Sequence, residues 1–475
     1  MPIHPARWAC LTVPLATALL AGCATYRPLP LDNGRGPLRI ADLKVPASSM
    51  PTPKLRAYPF DPANGLDVTE VAMLAVANDP QLKVQRDAAG IAHAQAYSAG
   101  LLPDPQLSYS HDHPTGSYPP GTTSSFSAGL TFDLGNLITR SARVASAKAG
   151  ARKVDLNLLW GEWQTIAQAR TLFDRVYFLR KHLARLQRER AALAPVQGAV
   201  TQALHAGDLT YEVAGAGLNA ASNASNQLGD IERQLHLAEH DLHDLLGLDA
   251  SVPLHLTGGP FSVDPDQAEV QHALTEMTRR RPDLLALQAG YRAQNEKLRA
   301  AILAQFPAII VGFTKARDNS NISSTGFSIG LSLPLFNGNR GNIAIERATR
   351  QQLHDAYSAR LLTDRNDIQR LLADLNSDRT QREPLALHAA QLDRARAAAQ
   401  SNYVAGRLDW PTYLAIRASS LAADTALLTL DENTHAAAIA LDALVGNWPS
   451  ANAVAHAPAS ASASAPATPC KNCRS

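Results

Sequence analysis

Aromatic side chains are scarce in this sequence, in which Phe, Trp and Tyr make up 5% of the 475 residues. With so few large rings and abundant alanine, long helices are favoured over a thick mixed core. Charged residues amount to 18%, and the formal net charge is only +2. Because this balance lacks the basic excess that attracts a polyanion, nucleic acid is not an expected partner.

Cysteine is rarer still, with four residues in the chain. Cys10 and Cys23 lie in a predicted signal segment, and Cys470 and Cys473 lie in the C-terminal tail. No disulfide is therefore expected to stabilise the body of the protein. Long apolar runs are missing too, since no window after the signal reaches the roughly eighteen uninterrupted apolar residues of a membrane helix. Any membrane crossing is expected to use a barrel of strands.

Residues 1–22 have the pattern of a lipoprotein signal peptide. Arg7 precedes an apolar stretch, and Leu20-Ala21-Gly22-Cys23 supplies the cleavage site. The motif resembles bacterial lipoprotein signals, in which Cys23 would become the first mature residue and carry the lipid. Ala24 in the next position then implies sorting to the outer membrane. The alternative is an ordinary secretory signal cleaved nearby.

Four stretches alternate between apolar and small polar residues, which predicts strands over about 104–113, 124–134, 306–316 and 324–336. In the last stretch one face is apolar, with Phe327, Ile329, Leu331, Leu333 and Leu335. The other face carries Ser328, Gly330, Ser332 and Pro334. About ten residues is the length that a tilted strand needs to cross a bilayer. Taken alone, however, the stretch is more typical of a half-buried strand in a soluble sheet.

Each pair of strands precedes a long helix, predicted over about 137–205 and about 340–404. At 1.5 Å per residue, the first is a rod of about 100 Å. Its apolar residues occupy a and d positions of a heptad, which predicts a coiled-coil seam: Leu172, Val176, Leu179, Leu183, Leu186 and Leu193. Return helices over about 209–247 and 410–446 complete the two units.

The two units are copies of one another at an offset near 200 residues. Phe327-Ser328-Ile329-Gly330-Leu331 matches Phe126-Ser127-Ala128-Gly129-Leu130, and Arg281-Pro282-Asp283 echoes Asp79-Pro80-Gln81. The predicted organisation is an extended segment 23–66, repeats 67–250 and 251–448, and a low-complexity tail 449–475. Asp67 with Glu70 three residues later predicts the capped start of a helix.

Four strands per chain cannot close a membrane barrel, because the smallest single-chain barrels use about eight. Open edges would leave backbone groups unpaired in lipid, and the apolar stripes of the rods need partners as well. A closed cyclic oligomer satisfies both needs.

These features resemble the TolC family of outer-membrane channel proteins. The resemblance rests on the duplicated order of helix, strand pair and helix, the run Pro334 to Gly341, and the endings Leu245-Leu246-Gly247 and Leu444-Val445-Gly446. It implies a homotrimer with a twelve-stranded outer-membrane β-barrel and an α-helical periplasmic barrel. The run Pro334 to Gly341 looks most like the heavy-metal branch of the family.

The same resemblance implies two kinds of functional surface. Lipid-facing strand residues would be Phe126, Leu130, Phe132, Phe327, Ile329, Leu331 and Leu333. Two glycine-containing tips would dock a periplasmic adaptor protein of an inner-membrane pump, through Ala206, Gly207, Asp208, Leu209, Thr210, Tyr211, Ala405, Gly406, Arg407, Leu408, Asp409 and Trp410. Tyr211 and Trp410 belong to the side-chain types enriched in binding hot spots. Family channels often gate the entrance with acidic residues, but Val213 and Thr412 occupy those positions here. The sequence therefore does not identify the residues that gate the entrance.

Two other groups could carry chemistry. His236, His240 and His243 have a spacing that can hold a metal, but Leu235, Leu242 and Leu245 occupy the opposite face, which favours a solvated polar stripe. Cys470 and Cys473 have the spacing of half a zinc or redox site without a second pair. No catalytic grouping or phosphate loop occurs, so we expect no enzyme activity, cofactor or bound metal.

The expected function is that of a passive outer-membrane duct in a tripartite efflux system for small solutes or metal ions. One alternative is a channel for type I polypeptide secretion. An alternative of another class is a periplasmic coiled-coil lipoprotein with a structural role, whose strands would pack in a soluble sheet.

Overall fold

The computed structural model describes residues 26–31, 39–40, 43, 45–117, 119–261 and 267–445. The predictions for Cys23, for residues 1–22 and for the tail with Cys470 and Cys473 lie outside these residues. Within the described ranges, no helix combines the length and the apolar character that a membrane span requires.

The described elements follow the same order twice. The first half contains α1 (Pro53–Ala57), α2 (Val68–Asn78), α3 (Pro80–Gly100), β1 (Gln106–Asp112), β2 (Ser125–Asp133), α4 (Gly135–Ala206) and α5 (Tyr211–Leu245). The second contains α6 (Gln267–Arg280), α7 (Pro282–Leu303), β3 (Ala308–Arg317), β4 (Ser323–Ser332), α8 (Arg340–Val404) and α9 (Trp410–Val445). The predicted mainly helical architecture with a small β part is thereby confirmed.

The start of α2 is fixed by the predicted capping box. The Asp67 carboxylate accepts hydrogen bonds from the backbone N–H groups of Thr69 and Glu70, both at 2.8 Å. In return, the Glu70 carboxylate accepts one from the Asp67 N–H at 3.0 Å. These bonds satisfy donors that the first helical turn leaves unpaired. Asp79 caps α3 in a similar way, accepting from the Gln81 N–H at 2.7 Å.

The four strands form one antiparallel sheet in the order β1-β2-β3-β4. The central pairing of β2 with β3 joins the two halves of the chain, with Leu130 opposite Phe313. Strands β1 and β4 are the sheet edges, and each has a neighbour on one side only among the described residues.

Strand β4 is shorter than the sequence predicts, since it ends at Ser332 rather than Phe336. Its last partner on β3 is Ala308, which Pro307 precedes. Pro307 and Pro334 have no N–H to donate, so the ladder of hydrogen bonds stops where they flank it. The prediction that Leu333 is a strand residue is therefore wrong, although its side chain is exposed.

Helix α4 is the longest element, with 72 residues and a length of about 108 Å. Near the sheet it packs against α3 and α7, and farther along against α5 and α9. The predicted seam is confirmed for its central part, where Val176, Leu179 and Leu186 are buried against Leu228, Ile231 and Leu235 of α5. The equivalent seam of α8 buries Ile368, Leu371 and Leu375 against α6, α7 and α9.

Candidate functional site

The sheet has one apolar and one polar face, because residues directly opposite one another in adjacent strands point to the same side. The register places one row of Leu107, Leu130, Phe313 and Phe327 across all four strands. The apolar face consists of Leu107, Phe126, Leu130, Phe132, Ile309, Val311, Phe313, Phe327, Ile329 and Leu331. Six of the seven predicted lipid-facing residues thus share one side of one sheet.

The opposite, polar face is built from small residues. It consists of Ser108, Ser110, Ser127, Gly129, Thr131, Gly312, Thr314, Gly326, Ser328 and Gly330, with Ile310 as an apolar exception. A Cβ on Gly312 would lie 2.5 Å from the Ser328 hydroxyl oxygen, so the serine side chain would have to move to admit it.

Large apolar side chains of the sheet are open to solvent in the single chain. Phe313 and Phe327 are 60% and 61% exposed, and their ring centroids lie 6.3 Å apart. Ile329 and Leu331 are 61% and 56% exposed. A contiguous apolar surface of this kind marks a face that another apolar phase or another protein covers.

The far ends of the long helices form two tips with identical backbone hydrogen bonds. Gly207 and Gly406 have φ values of +81° and +69°, which favour glycine. Their N–H groups donate to the carbonyl oxygens of Leu204 and Tyr403, at 3.2 and 2.9 Å. The N–H groups of the residues that follow each donate back five residues at 2.9 Å. These are the bonds of a glycine-terminated helix end.

The tip residues differ in their exposure. Exposed positions are Ala206, Gly207, Asp208, Thr210, Tyr211, Ala405, Gly406, Arg407 and Asp409, whereas Leu209 and Leu408 are half-buried in one apolar cluster. Asp409 caps α9 by accepting from the Thr412 N–H at 2.7 Å, and hydrogen bonding to Thr412 lowers the pKa of the Asp409 carboxyl.

Trp410 is not part of an exposed docking surface, contrary to the prediction from the sequence. Tyr211 is 85% exposed, but Trp410, its counterpart in the second repeat, is only 8% exposed. Its ring lies against Gly217, where an added Cβ would be 2.7 Å from the indole nitrogen. It also contacts Tyr403 and Tyr413, whose rings stack with centroids 4.6 Å apart. Trp410 therefore stabilises the tip from inside and is not free for a partner.

A buried ion pair below the tips was not predicted. Glu189 on α4 and Arg417 on α9 are 3% and 4% exposed and form two bonds of 2.7 and 2.8 Å. Arg417 also donates to the Tyr413 hydroxyl at 2.7 Å. Arg417 follows Tyr413 by four residues and Trp410 by seven, so the three side chains share one face of α9. This spacing is the sequence signal that could have predicted the burial of Arg417.

A second buried ion cluster lies nearer the sheet, between α7 and α8. Arg281 is fully buried and binds Asp283 at 2.8 Å and Asp364 at 3.0 Å. Arg360 reaches the same two carboxylates, and Arg281 lies 5.2 Å from the ring centroid of Trp160. Burial raises the pKa of Asp364, and the Arg281 charge opposes that shift. The sequence identified Arg281 only as the start of a helix.

The three histidines of α5 do not form one solvated stripe. His236 and His240 are exposed, as predicted, but His243 is buried. Its ring nitrogens lie 2.6 Å from the Glu239 carbonyl oxygen and 2.7 Å from that of Val252. The turn after α5 folds back over this ring, a contact that helical spacing does not reveal. Among the described residues, no group of three or more potential ligands could hold a metal ion.

Comparisons with known proteins agree with this geometry. The family model described as outer membrane efflux protein matches residues 273–447. A 185-residue stretch, 37% of the chain, is 28% identical to the outer membrane protein OprJ of Pseudomonas aeruginosa and spans 39% of that protein. A crystal structure of a Pseudomonas aeruginosa membrane protein superposes with a TM-score of 0.69 at 20% identity, covering 83% of this chain and 92% of that one. The channel protein CusC superposes with a TM-score of 0.67 at 18% sequence identity, covering 87% of this chain and 99% of that one.

The chain is similar in sequence to outer membrane efflux proteins over residues 273–447 and shares the fold of channel proteins such as CusC. The sequence match lies in the second repeat, and the fold match extends over both repeats. The first repeat follows the same element order at an offset near 200 residues. The sheet and the tips lie at opposite ends of the long helix α4.

Proposed function

We propose that this chain belongs to the TolC family and that three copies of it form an outer-membrane channel, which serves as the exit duct of a tripartite efflux system. The observation that carries the proposal is the four-stranded sheet, with two open edges and an exposed apolar face, at one end of helices about 100 Å long. In this assembly β1 of one copy pairs with β4 of the next. Twelve strands then close a barrel with no unpaired edge.

The two faces of the sheet suit this arrangement. The apolar face turns to the hydrocarbon of the outer membrane, and the serine, threonine and glycine residues of the polar face line the pore. Strands of a membrane barrel alternate in this way between lipid and lumen. The helices extend into the periplasm, so that the tips form the end farthest from the membrane.

The exposed tip residues are proposed to bind a periplasmic adaptor protein that links the duct to an inner-membrane pump. Tyr211 presents a large exposed ring beside Asp208 and Thr210, and Arg407 and Asp409 lie at equivalent places in the second tip. The duct itself performs no reaction in this proposal. Lipidation at Cys23 would add an anchor in the same membrane.

Purified protein placed in planar bilayers tests the proposal. We expect stepwise conductance from the wild type, and no conductance from a structural lipoprotein that only lies on the membrane. The substrate class follows from a deletion strain, in which greater sensitivity to metals or drugs identifies small solutes. Loss of a polypeptide from the medium would identify the secretion channel instead.

A further inference from the structure

Basic side chains lie at one end of the apolar face, next to the loops that join the strands. The register places His111 of β1 opposite Phe126, and Phe126 opposite Arg317 of β3. Lys315 lies two residues earlier on the same face, opposite Ala128 and Thr325. We refer to Lys315, Arg317 and His111 as the basic end.

The basic end is not neutralised by acids. The apolar side of the sheet carries no Asp or Glu, because Asp112 and Asp133 both fall on the polar side. Within the described part of the chain, Lys315 and Arg317 form no ion pair, and the Arg317 Nε is buried without a hydrogen-bond partner. The Arg317 guanidinium instead lies 5.5 Å from the Phe126 ring centroid. Among the described residues, these two cations therefore lack a counter-charge on their face of the sheet.

The order of residues along the strands matches the depth profile of a membrane. Starting from the helix end, β3 presents Ile309, Val311 and Phe313, and then Lys315 and Arg317. Tyr109 lies in the same row as Lys315, through Ala128. Hydrocarbon, aromatic girdle and headgroups follow in this sequence at the surface of membrane barrels. Long basic side chains at such a level extend toward the headgroups.

We infer that the basic end binds the phosphate groups of an anionic lipid in the outer leaflet of the outer membrane. This inference rests on the proposed function, which places the loops outside the cell and the apolar face in lipid. Arginine offers a planar pair of donors to a phosphate, and lysine adds a compact positive charge. A trimer carries three such sites around its rim.

The test uses the full-length protein in nanodiscs of phosphatidylcholine with added diphosphoryl lipid A, and counts lipid A retained per protein by native mass spectrometry. We expect retention by the wild type and a loss of about tenfold in the double variant Lys315→Gln/Arg317→Gln. The charge-conserving pair Lys315→Arg/Arg317→Lys and the distant tip variant Arg407→Gln should retain lipid A. Equal retention by the neutral double variant would overturn the inference.

Two further outcomes separate this inference from the proposed channel. Wild-type protein that inserts and conducts but retains no lipid A would overturn the lipid site alone, whereas protein that does not insert would contradict the channel. If the neutral double variant does not assemble, wild-type retention is measured at low and high salt. Release at high salt supports a charge-based site, because salt screens exposed charges, and salt-independent retention contradicts it.

Discussion

The Glu189 carboxylate on α4 and the Arg417 guanidinium on α9 face each other through two bonds of 2.7 and 2.8 Å, at positions that solvent barely reaches. They join the two repeats just below the tips. Removal of one partner leaves the other charge buried and uncompensated, which typically costs about 3–5 kcal/mol.

We therefore expect Arg417→Met to lower the thermal unfolding temperature strongly, as followed by circular dichroism of the detergent-solubilised protein. The double variant Glu189→Leu/Arg417→Met should recover most of that loss, since an apolar pair of similar volume can replace a buried ion pair. A double variant as unstable as the single one would show that the pair itself contributes the stability.

His435 gives the protein a stability component that depends on pH. The Asp174 carboxylate, 3.4 Å from the His435 Nδ1, raises the pKa of His435 above its ordinary value of 6.5, and the hydrogen bond between that nitrogen and the Phe261 carbonyl adds to the shift. Because the folded pKa is the higher one, this contribution is fully present below about pH 6.5 and is lost as pH rises through the raised value.

The matching measurement compares the unfolding temperatures of the wild type and His435→Gln at pH 6 and at pH 8.5. The wild type should hold an advantage at the lower pH that shrinks at the higher one. If the difference in unfolding temperature between the wild type and His435→Gln is the same at both pH values, the Asp174 contact does not contribute a pH-dependent stability.

Adjacent residues of β4 provide a test of the two faces. Ile329 lies opposite Val311 on the apolar face, and Ser328 lies opposite Gly312 on the polar face. An arginine in place of Ile329 should destabilise the folded protein in lipid by about 2–4 kcal/mol if the position is near the bilayer midplane, whereas Ser328→Arg should cost little. Urea unfolding in lipid vesicles measures the change in unfolding free energy for each variant. Equal changes at the two positions would disprove the assignment of the faces.

Equivalent positions in the two tips should respond in different ways. Tyr211→Ala removes an exposed ring, so adaptor binding should weaken while stability changes by less than about 0.5 kcal/mol. Trp410→Ala empties a buried site and should cost about 3–5 kcal/mol. Unfolding temperature and pull-down with the adaptor distinguish the two effects. Strong destabilisation by Tyr211→Ala, or none by Trp410→Ala, would contradict the assigned exposures.

Local patterns in the sequence were sufficient to predict the two repeats, the capping box at Asp67 and the glycine turns of the tips, because each depends on neighbours along the chain. The alternation around Phe327 likewise predicted an apolar and a polar face. The end of β4 at Ser332 was missed because it depends on the position of Pro307, which precedes the neighbouring strand β3.

Burial across elements could not be predicted in the same way. Trp410 is covered by Gly217 of another helix, and Arg417 meets a carboxylate 228 residues away in sequence. His243 is buried because the chain after α5 returns over it. Each of these contacts depends on the packing of distant segments, which periodicity within one helix does not specify.

The central claim is that each chain supplies four strands of a barrel shared by three copies. Native mass spectrometry of the detergent-solubilised full-length protein tests it most directly, because the intact mass gives the number of chains. The account predicts a species of three chains that persists on dilution in detergent. A protein that is monomeric throughout would leave β1 and β4 unpaired and would contradict the account.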